Sequence, residues 1–116
     1  MMQGQLPLPE LGYVSGKVTI QGKAYAGIRV YFTPKVKEMG DKKGAQRARD
    51  SVGVTDDQGN YTLYYTAEIQ GVKVGQCRVW MESPDPSVAI PAKYSGREEV
   101  TIEVLSGNNP ARDFEL

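Results

Sequence analysis

Two arginine–aromatic pairs, Arg29 with Tyr31 and Arg78 with Trp80, carry the residue types of this chain that are best suited to binding. The members of each pair are two positions apart, so in an extended strand both side chains project from one face. An aromatic ring beside a guanidinium combines flat apolar area with planar hydrogen-bond donors, which suits a sugar-stacking or protein-binding surface. Ordinary strand propensity gives the same composition on a solvated sheet. We predict that Arg29, Tyr31, Arg78 and Trp80 face outward and form a binding surface.

The sequence lacks the residues that ordinary enzyme catalysis requires. None of its 116 residues is histidine, which excludes every Ser-His-Asp triad and Cys-His pair. The single cysteine, Cys77, excludes an internal disulfide and alternates with apolar neighbours, which predicts a buried core residue. Glu98 and Glu99 are adjacent, so in a strand their carboxylates point to opposite faces and do not converge as a glycosidase pair would. We expect no enzymatic activity, no cofactor and no metal.

The charges of the chain balance, with 14 Lys and Arg against 14 Asp and Glu. This balance argues against nucleic acid as a partner, because general nucleic-acid binders carry a basic excess. Residues 35–50 hold six of the basic residues and are predicted to form a long solvated loop, with a patch for an anionic partner as the alternative. No apolar run is long enough to span a membrane, and residues 1–11 do not have the pattern of a signal peptide.

Apolar and polar residues alternate along most of the chain, which indicates strands rather than helices. Gly, Pro, Asn and Asp clusters separate the strands. One of these clusters, residues 56–60, is predicted to form a tight turn, in which Gly supplies the positive φ. A calcium loop is the alternative for these residues, but the distal Glu of such a loop is missing. Alternation also directs Tyr61 and Tyr65 toward the core and Tyr64 outward. The pattern favours an all-β, antiparallel, two-sheet sandwich, with residues 1–11 as a linker and 12–116 as one domain. About seven strands are predicted, around residues 14–20, 28–32, 52–54, 61–65, 77–81, 100–104 and 114–116.

Several short motifs occur in a characteristic order. VSGKVTIQGKAYAGIRVYFTP contains a V-x-G-x-V strand, a glycine-containing turn and a V-x-F strand, at Val14, Gly16, Val18, Gly22, Lys23, Gly27, Val30 and Phe32. GVTDDQGNYTL contains a T-D-x-x-G-x-Y-x-L hairpin, at Thr55, Asp56, Gly59, Tyr61 and Leu63. GQCRVWM follows a G-x-Y-x-V-x-I strand, with Cys77 in place of Tyr. Together these motifs resemble the transthyretin-like or carboxypeptidase regulatory-like domains. The segments from IPAKYSG to DFEL are similar to small predicted lipoproteins of planctomycete-type bacteria.

The resemblance implies a prealbumin-like sandwich of the immunoglobulin-like topology class, with the strands of Tyr31 and Trp80 as neighbours in one sheet. It implies a periplasmic or surface-exposed place in the cell envelope, with a lipid anchor as the only contact with the membrane. The LPLPELG segment resembles the linker that follows the lipidated cysteine, although that cysteine is absent here. Catalytic proteins of similar fold rely on histidines or on a C-terminal Tyr-Arg-Gly-Ser, whereas this chain ends Asp-Phe-Glu-Leu.

These observations predict a non-catalytic structural or interaction module of a bacterial cell-envelope lipoprotein, with a protein or a glycan as its unidentified partner. A carbohydrate-binding module that uses Trp80 and Tyr31 is the alternative, and a histidine-free hydrolase is the third possibility. Because an open sandwich leaves strand edges unpaired, we expect either a monomer or a weak dimer formed through an edge strand.

Overall fold

The computed structural model describes residues 9–35 and 49–116. Within these residues the chain forms eleven strands and one short 3₁₀ turn, Ala92–Tyr94. No helix in this part of the chain is long and apolar enough to cross a membrane. The strands are β1 (Leu11–Tyr13), β2 (Ser15–Ile20), β3 (Lys23–Ala24), β4 (Arg29–Pro34), β5 (Ser51–Val54), β6 (Asn60–Thr62), β7 (Val72–Lys73), β8 (Gly75–Glu82), β9 (Thr101–Val104), β10 (Gly107–Asn108) and β11 (Phe114–Glu115).

The most regular sheet has the strand order β5-β4-β8-β9 and is antiparallel throughout. Its centre is the pairing of β4 with β8, in which six residue pairs lie directly opposite each other. Val30, Phe32 and Val79 are inaccessible to solvent on the inner face. Tyr31 and Trp80 alternate with them and therefore project from the outer face. The period of two in the sequence thus sets which side chains this sheet buries.

The second sheet is built around β2, which has different partners on its two edges. β6 and β3 pair with one edge in antiparallel orientation. The C-terminal strand β11 pairs with the other edge in parallel, with Phe114 opposite Val18. A short additional sheet has the order β10-β1-β7, in which β1 runs parallel to β10 and antiparallel to β7.

A continuous hydrophobic core lies between the two main sheets. Tyr94 of the 3₁₀ turn packs edge-on against Phe114, with ring centroids 5.7 Å apart, so the segment between β8 and β9 covers part of this core. Burial of these apolar side chains supplies the main favourable free energy of folding. The buried members are Val14, Val18, Ile28, Val30, Phe32, Tyr61, Leu63, Val72, Cys77, Val79, Met81, Val104 and Phe114.

The hairpin from β5 to β6 connects the two main sheets. Val52 and Tyr64 exchange two backbone hydrogen bonds, of 3.1 and 3.0 Å. Beyond this pair β5 continues in the first sheet and β6 in the second. Gly53 lies at this point, and a β-carbon there would be 2.5 Å from the Thr62 carbonyl oxygen. The corner of the sandwich therefore requires a residue without a side chain at position 53.

The structure confirms the all-β two-sheet sandwich and corrects its details. The described residues form eleven strands rather than about seven, because β1, β3, β7 and β10 are only two or three residues long and show no alternation. The sandwich is not wholly antiparallel, since β1 with β10 and β2 with β11 are parallel pairs. Strand β1 begins at Leu11, the last residue of the predicted linker. Residues 36–48 of the predicted basic loop lie outside the described residues.

Cys77 is inaccessible to solvent on β8, as predicted, and burial raises the pKa of its thiol to about 11. The thiolate is the reactive form, so the fold suppresses both access and ionisation. We expect Cys77 to react with Ellman's reagent only when the fold opens, roughly 100-fold more slowly than in the urea-unfolded chain. The release of the coloured thiolate over time measures this rate. Equal rates for the folded and unfolded chains would contradict the burial of this thiol.

Candidate functional site

Tyr31 and Trp80 are stacked on each other on the outer face of the first sheet. They are directly opposite in the β4–β8 pairing, and their ring centroids are 4.1 Å apart with an angle of 12° between the planes. Cross-strand neighbours on one face of a sheet interact in this way, and aromatic pairs stabilise the pairing. The sequence-based prediction that these two aromatics share an outward face is confirmed.

The polar atom of each stacked ring is already hydrogen-bonded across the strand pair. The Tyr31 hydroxyl donates to Glu82 Oε1 at 2.8 Å, and the Trp80 indole N–H donates to Thr33 Oγ1 at 2.9 Å. Burial, followed by the hydrogen bond to Glu82, raises the pKa of Tyr31 above its ordinary value, so this hydroxyl remains a donor at neutral pH. The two rings are therefore held in fixed orientations before any partner arrives.

Arg29 lies beside this stack at the edge of the outer face. It is opposite Glu82 in the register, and its Nη1 atom is 3.7 Å from Glu82 Oε1. Both side chains are about half exposed, so water screens this ion pair and it contributes little to stability. Glu82 thus contacts both Arg29 and the Tyr31 hydroxyl, a role that spacing within the sequence did not indicate.

Arg78 lies on the same face, and its side chain contacts the segment between β8 and β9. It is opposite Thr33, and its Nη2 atom donates to the Gly96 carbonyl at 2.6 Å. Its guanidinium therefore anchors the segment between β8 and β9. Nearby, Lys35 forms a salt bridge with Glu99, and the hydrogen bond from Lys35 lowers the pKa of that carboxyl. One donor group of Arg78 is therefore engaged within the fold, while its side chain stays on the outer face.

The outer face extends beyond the predicted residues in one direction. Val52 is directly opposite Tyr31, and Tyr64 is bridged to Val52 in turn. Directly opposed residues project from the same face. Trp80, Tyr31, Val52 and Tyr64 therefore form one line across neighbouring strands, which we call the outer row. Tyr64 is 42% exposed, so its predicted outward orientation is confirmed, and the structure adds that it lies at the end of the row.

The sequence did not indicate that the valines of β5 face outward. Val54 is 56% exposed and lies opposite Arg29, whereas Ser51 and Gly53 face the core. The reason is steric and polar: the corner has no room for a β-carbon at Gly53, and the buried Ser51 hydroxyl donates to the Gly71 carbonyl at 2.8 Å. The inner face of β5 is thus occupied by small residues, and its two valines enlarge the apolar outer face.

An open cleft adjoins the Tyr64 end of the outer row. Its volume is about 610 Å³, and it lies between β5 and β6, where the two strands diverge into different sheets. The lining combines the apolar side chains of Val52 and Val54 with the polar groups of Asn60 and Thr62. An outer row with an adjoining cleft offers both flat apolar area and a recess for a protruding group of a partner.

The acidic residues singled out in the sequence have structural partners. Asp56 Oδ1 accepts hydrogen bonds from the backbone N–H groups of Gln58 and Asn60, both at 2.9 Å, and so closes the predicted turn. In the described part of the chain, no three acidic or cysteine side chains come together in a group that could hold a metal ion. Tyr61 is buried and its hydroxyl donates to the Arg112 carbonyl at 2.6 Å, which confirms its predicted place in the core.

No protein-family model matches this chain, and the searches of curated proteins and of solved structures found no match either. The relation to transthyretin-like domains therefore rests on the sequence motifs alone and stays a prediction.

Proposed function

We propose that this protein is a non-catalytic binding module whose outer row docks a protein partner. The observation that carries the proposal is the stack of Tyr31 on Trp80, held by hydrogen bonds to Glu82 and Thr33 on an exposed sheet face. Residues that dominate protein interfaces are large, rigid aromatics surrounded by groups that exclude water. Rings fixed before association lose little conformational entropy when a partner binds.

The geometry of the stack favours a protein over a glycan at this face. A sugar binds on an open ring face and exchanges hydrogen bonds with free polar groups beside it. Tyr31 and Trp80 instead cover one face of each other, and both of their polar atoms are engaged. The exposed remainder, with Val54 and Arg29 at its margin, is a flat apolar area with a charged rim. We therefore propose a partner with a complementary apolar surface and an acceptor for Arg29.

We further propose that the partner is a component of the bacterial cell envelope. The motif similarity to small predicted lipoproteins supports this location, with a lipid anchor as the means of membrane attachment. Subcellular fractionation of cells that produce the natural protein tests the location independently of binding. Recovery in the cytosol would contradict the envelope assignment and leave the proposed binding face untouched.

The docking face is tested by photo-crosslinking from two matched positions. Val54 is 56% exposed on the proposed face, and Leu105 is 50% exposed beyond the end of β9. A photoreactive amino acid at position 54 is expected to capture a defined protein in native cells, whereas the same group at position 105 is not. Equal capture of the same protein from both positions, or capture from position 105 alone, would refute the proposed face.

The affinity of the captured partner for purified variants gives the quantitative test. Trp80→Ala is expected to weaken binding by roughly 30-fold, because removal of an interface aromatic costs about 2 kcal/mol. Val54→Asp places a charge in the face without disturbing the core, and Leu105→Asp is its matched control. We expect Val54→Asp to weaken binding and Leu105→Asp to leave it unchanged. A glycan array on which Trp80→Ala abolishes sugar binding would instead establish the carbohydrate alternative.

A further inference from the structure

A second exposed aromatic residue, Tyr13, lies at a groove that the outer row does not include. Its exposed fraction is 45%, and the groove beside it has a volume of about 550 Å³. The groove is open, and its lining residues come from three separate parts of the chain. They are Tyr13, Glu68, Ile69, Gln70 and Asn108. We propose that this groove binds a neutral saccharide.

The backbone holds these side chains in fixed positions relative to one another. Tyr13 on β1 is directly opposite Asn108 on β10. The next residue, Asn109, donates through its backbone N–H and its side-chain amide to the Tyr13 carbonyl, at 3.2 and 3.3 Å. The side-chain oxygen of Asn109 accepts from the Leu105 N–H, and its side-chain nitrogen donates to the Leu105 carbonyl, each at 2.9 Å. These bonds close the turn that carries Asn108. Tyr13 and Asn108 are therefore presented by paired strands rather than by free loops.

The other wall of the groove is fixed by a tight turn. The Thr66 hydroxyl accepts hydrogen bonds from the backbone N–H groups of Glu68 and Ile69, at 3.3 and 3.1 Å. Gln70 is then bridged to Tyr64. The groove therefore adjoins the Tyr64 end of the outer row, and none of its lining residues belongs to the row. Trp80 is at the opposite end.

The chemistry of the lining matches a sugar. An exposed tyrosine ring offers an apolar face to the C–H groups of a pyranose. The amides of Gln70 and Asn108 each provide donors and an acceptor, and the Glu68 carboxylate accepts from hydroxyl groups. These three side chains are exposed and make no hydrogen bond to other described residues. They are therefore free to pair with hydroxyls of a ligand.

The charge of the lining indicates which sugars are accepted. Among the described residues that line the groove, Glu68 has the one carboxylate, and none is a lysine or an arginine. A carboxylate without a neighbouring cation disfavours acidic sugars, because like charges repel. A cationic ligand is also less suited, since recognition of quaternary ammonium groups uses a cage of several rings. Neutral pyranosides with adjacent hydroxyl groups are the ligands that satisfy the ring, the amides and the carboxylate together.

Titration of the ¹⁵N-labelled protein with neutral oligosaccharides tests the proposal. Cellotetraose, mannotetraose and chitotetraose are the probes, with choline as the cationic comparison. At least one sugar is expected to shift the amide resonances of Tyr13, Gln70 and Asn108. Tyr13→Ala should weaken that binding roughly tenfold, because the contribution of the ring is about 1.4 kcal/mol. Tyr13→Phe keeps the ring and should bind within about twofold of the parent.

Trp80→Ala is the control at the far end of the outer row and should leave sugar affinity unchanged. The spectrum of each variant reports whether the fold is intact. The proposal is overturned if no sugar shifts these resonances, if Tyr13→Ala keeps full affinity, or if choline binds where the sugars do not. Shifts centred on Trp80 would also overturn it, and would move sugar binding to the outer row. Failure here leaves the protein-docking proposal intact, since crosslinking from Val54 tests that separately.

Discussion

The Gly16→Ala variant is expected to lose about 3 kcal/mol of unfolding free energy, a large effect for the addition of one methyl group. A β-carbon at Gly16 would lie 2.0 Å from the Arg112 carbonyl oxygen and 2.6 Å from its carbon. This neighbour is backbone, and it is held on two sides. The Arg112 N–H donates to the Ser15 carbonyl at 2.9 Å, and its carbonyl accepts from Tyr61 at 2.6 Å. Relief of the clash must therefore break one of these hydrogen bonds.

Urea denaturation of Gly16→Ala beside the parent measures this loss. Ser15→Ala is the matched control, because Ser15 is exposed on the same strand, and its substitution is expected to change stability by less than about 0.5 kcal/mol. A Gly16→Ala protein as stable as the parent would show that the segment through Arg112 can move away from β2 without cost.

Thr55→Val is expected to destabilise the protein by about 3 kcal/mol, although the two side chains have almost the same shape. Thr55 is 4% exposed, and its Oγ1 accepts from the Ile28 N–H at 2.9 Å and donates to the Tyr25 carbonyl at 2.6 Å. Valine fills the same space but leaves the buried Ile28 N–H and the partly buried Tyr25 carbonyl without these partners. Each unsatisfied group costs about 1 to 3 kcal/mol. Ile28, which Thr55 holds, immediately precedes β4. We therefore expect Arg29, the first residue of β4, to become more mobile in this variant.

Two further substitutions identify the hydroxyl as the cause. Thr55→Ser keeps the hydroxyl and is expected to retain most of the stability that Thr55→Val loses. Thr101→Val removes an exposed hydroxyl on β9 and should change stability by less than about 0.5 kcal/mol. Chemical denaturation of the three variants compares them directly. If Thr55→Ser is as unstable as Thr55→Val, the loss comes from packing rather than from the hydrogen bonds.

Residue alternation predicted the faces of the long strands because it records burial directly. In β4 and β8 every second side chain is buried, so the outward orientation of Tyr31 and Trp80 follows from local sequence. The direct opposition of these rings is a matter of register between strands almost fifty residues apart in sequence, and local alternation carries no information about it. The hydrogen bonds to Glu82 and Thr33 depend on that register and could not be predicted either.

Other features depend on contacts that leave no periodic trace. Gly16 belongs to a recognisable motif, but its necessity comes from the Arg112 backbone, nearly one hundred positions away in the sequence. Val54 is of a residue type usually buried in strands, yet it is exposed. The reason is that Gly53, which cannot carry a side chain at the corner, occupies the inward-facing position beside it. Arg78 is of a residue type common in binding surfaces. Its guanidinium nevertheless donates to the Gly96 carbonyl, a contact within the fold that local sequence does not indicate. Tertiary contacts decide such positions.

The parallel pairing of β11 with β2 has a consequence for the order in which the protein assembles. The Leu116 N–H donates to the Thr19 carbonyl at 2.7 Å, and the Leu116 carbonyl accepts from the Gln21 N–H at 3.0 Å. One edge of β2 is therefore completed by residues almost one hundred positions later in the sequence. During synthesis the ribosome releases β2 long before β11, and this edge of β2 stays unpaired in the meantime. Contacts of such long sequence separation also slow folding. Newly made chains therefore pass through a stage in which β2 can pair with another molecule, and a chaperone that covers exposed strand edges would protect them during that interval.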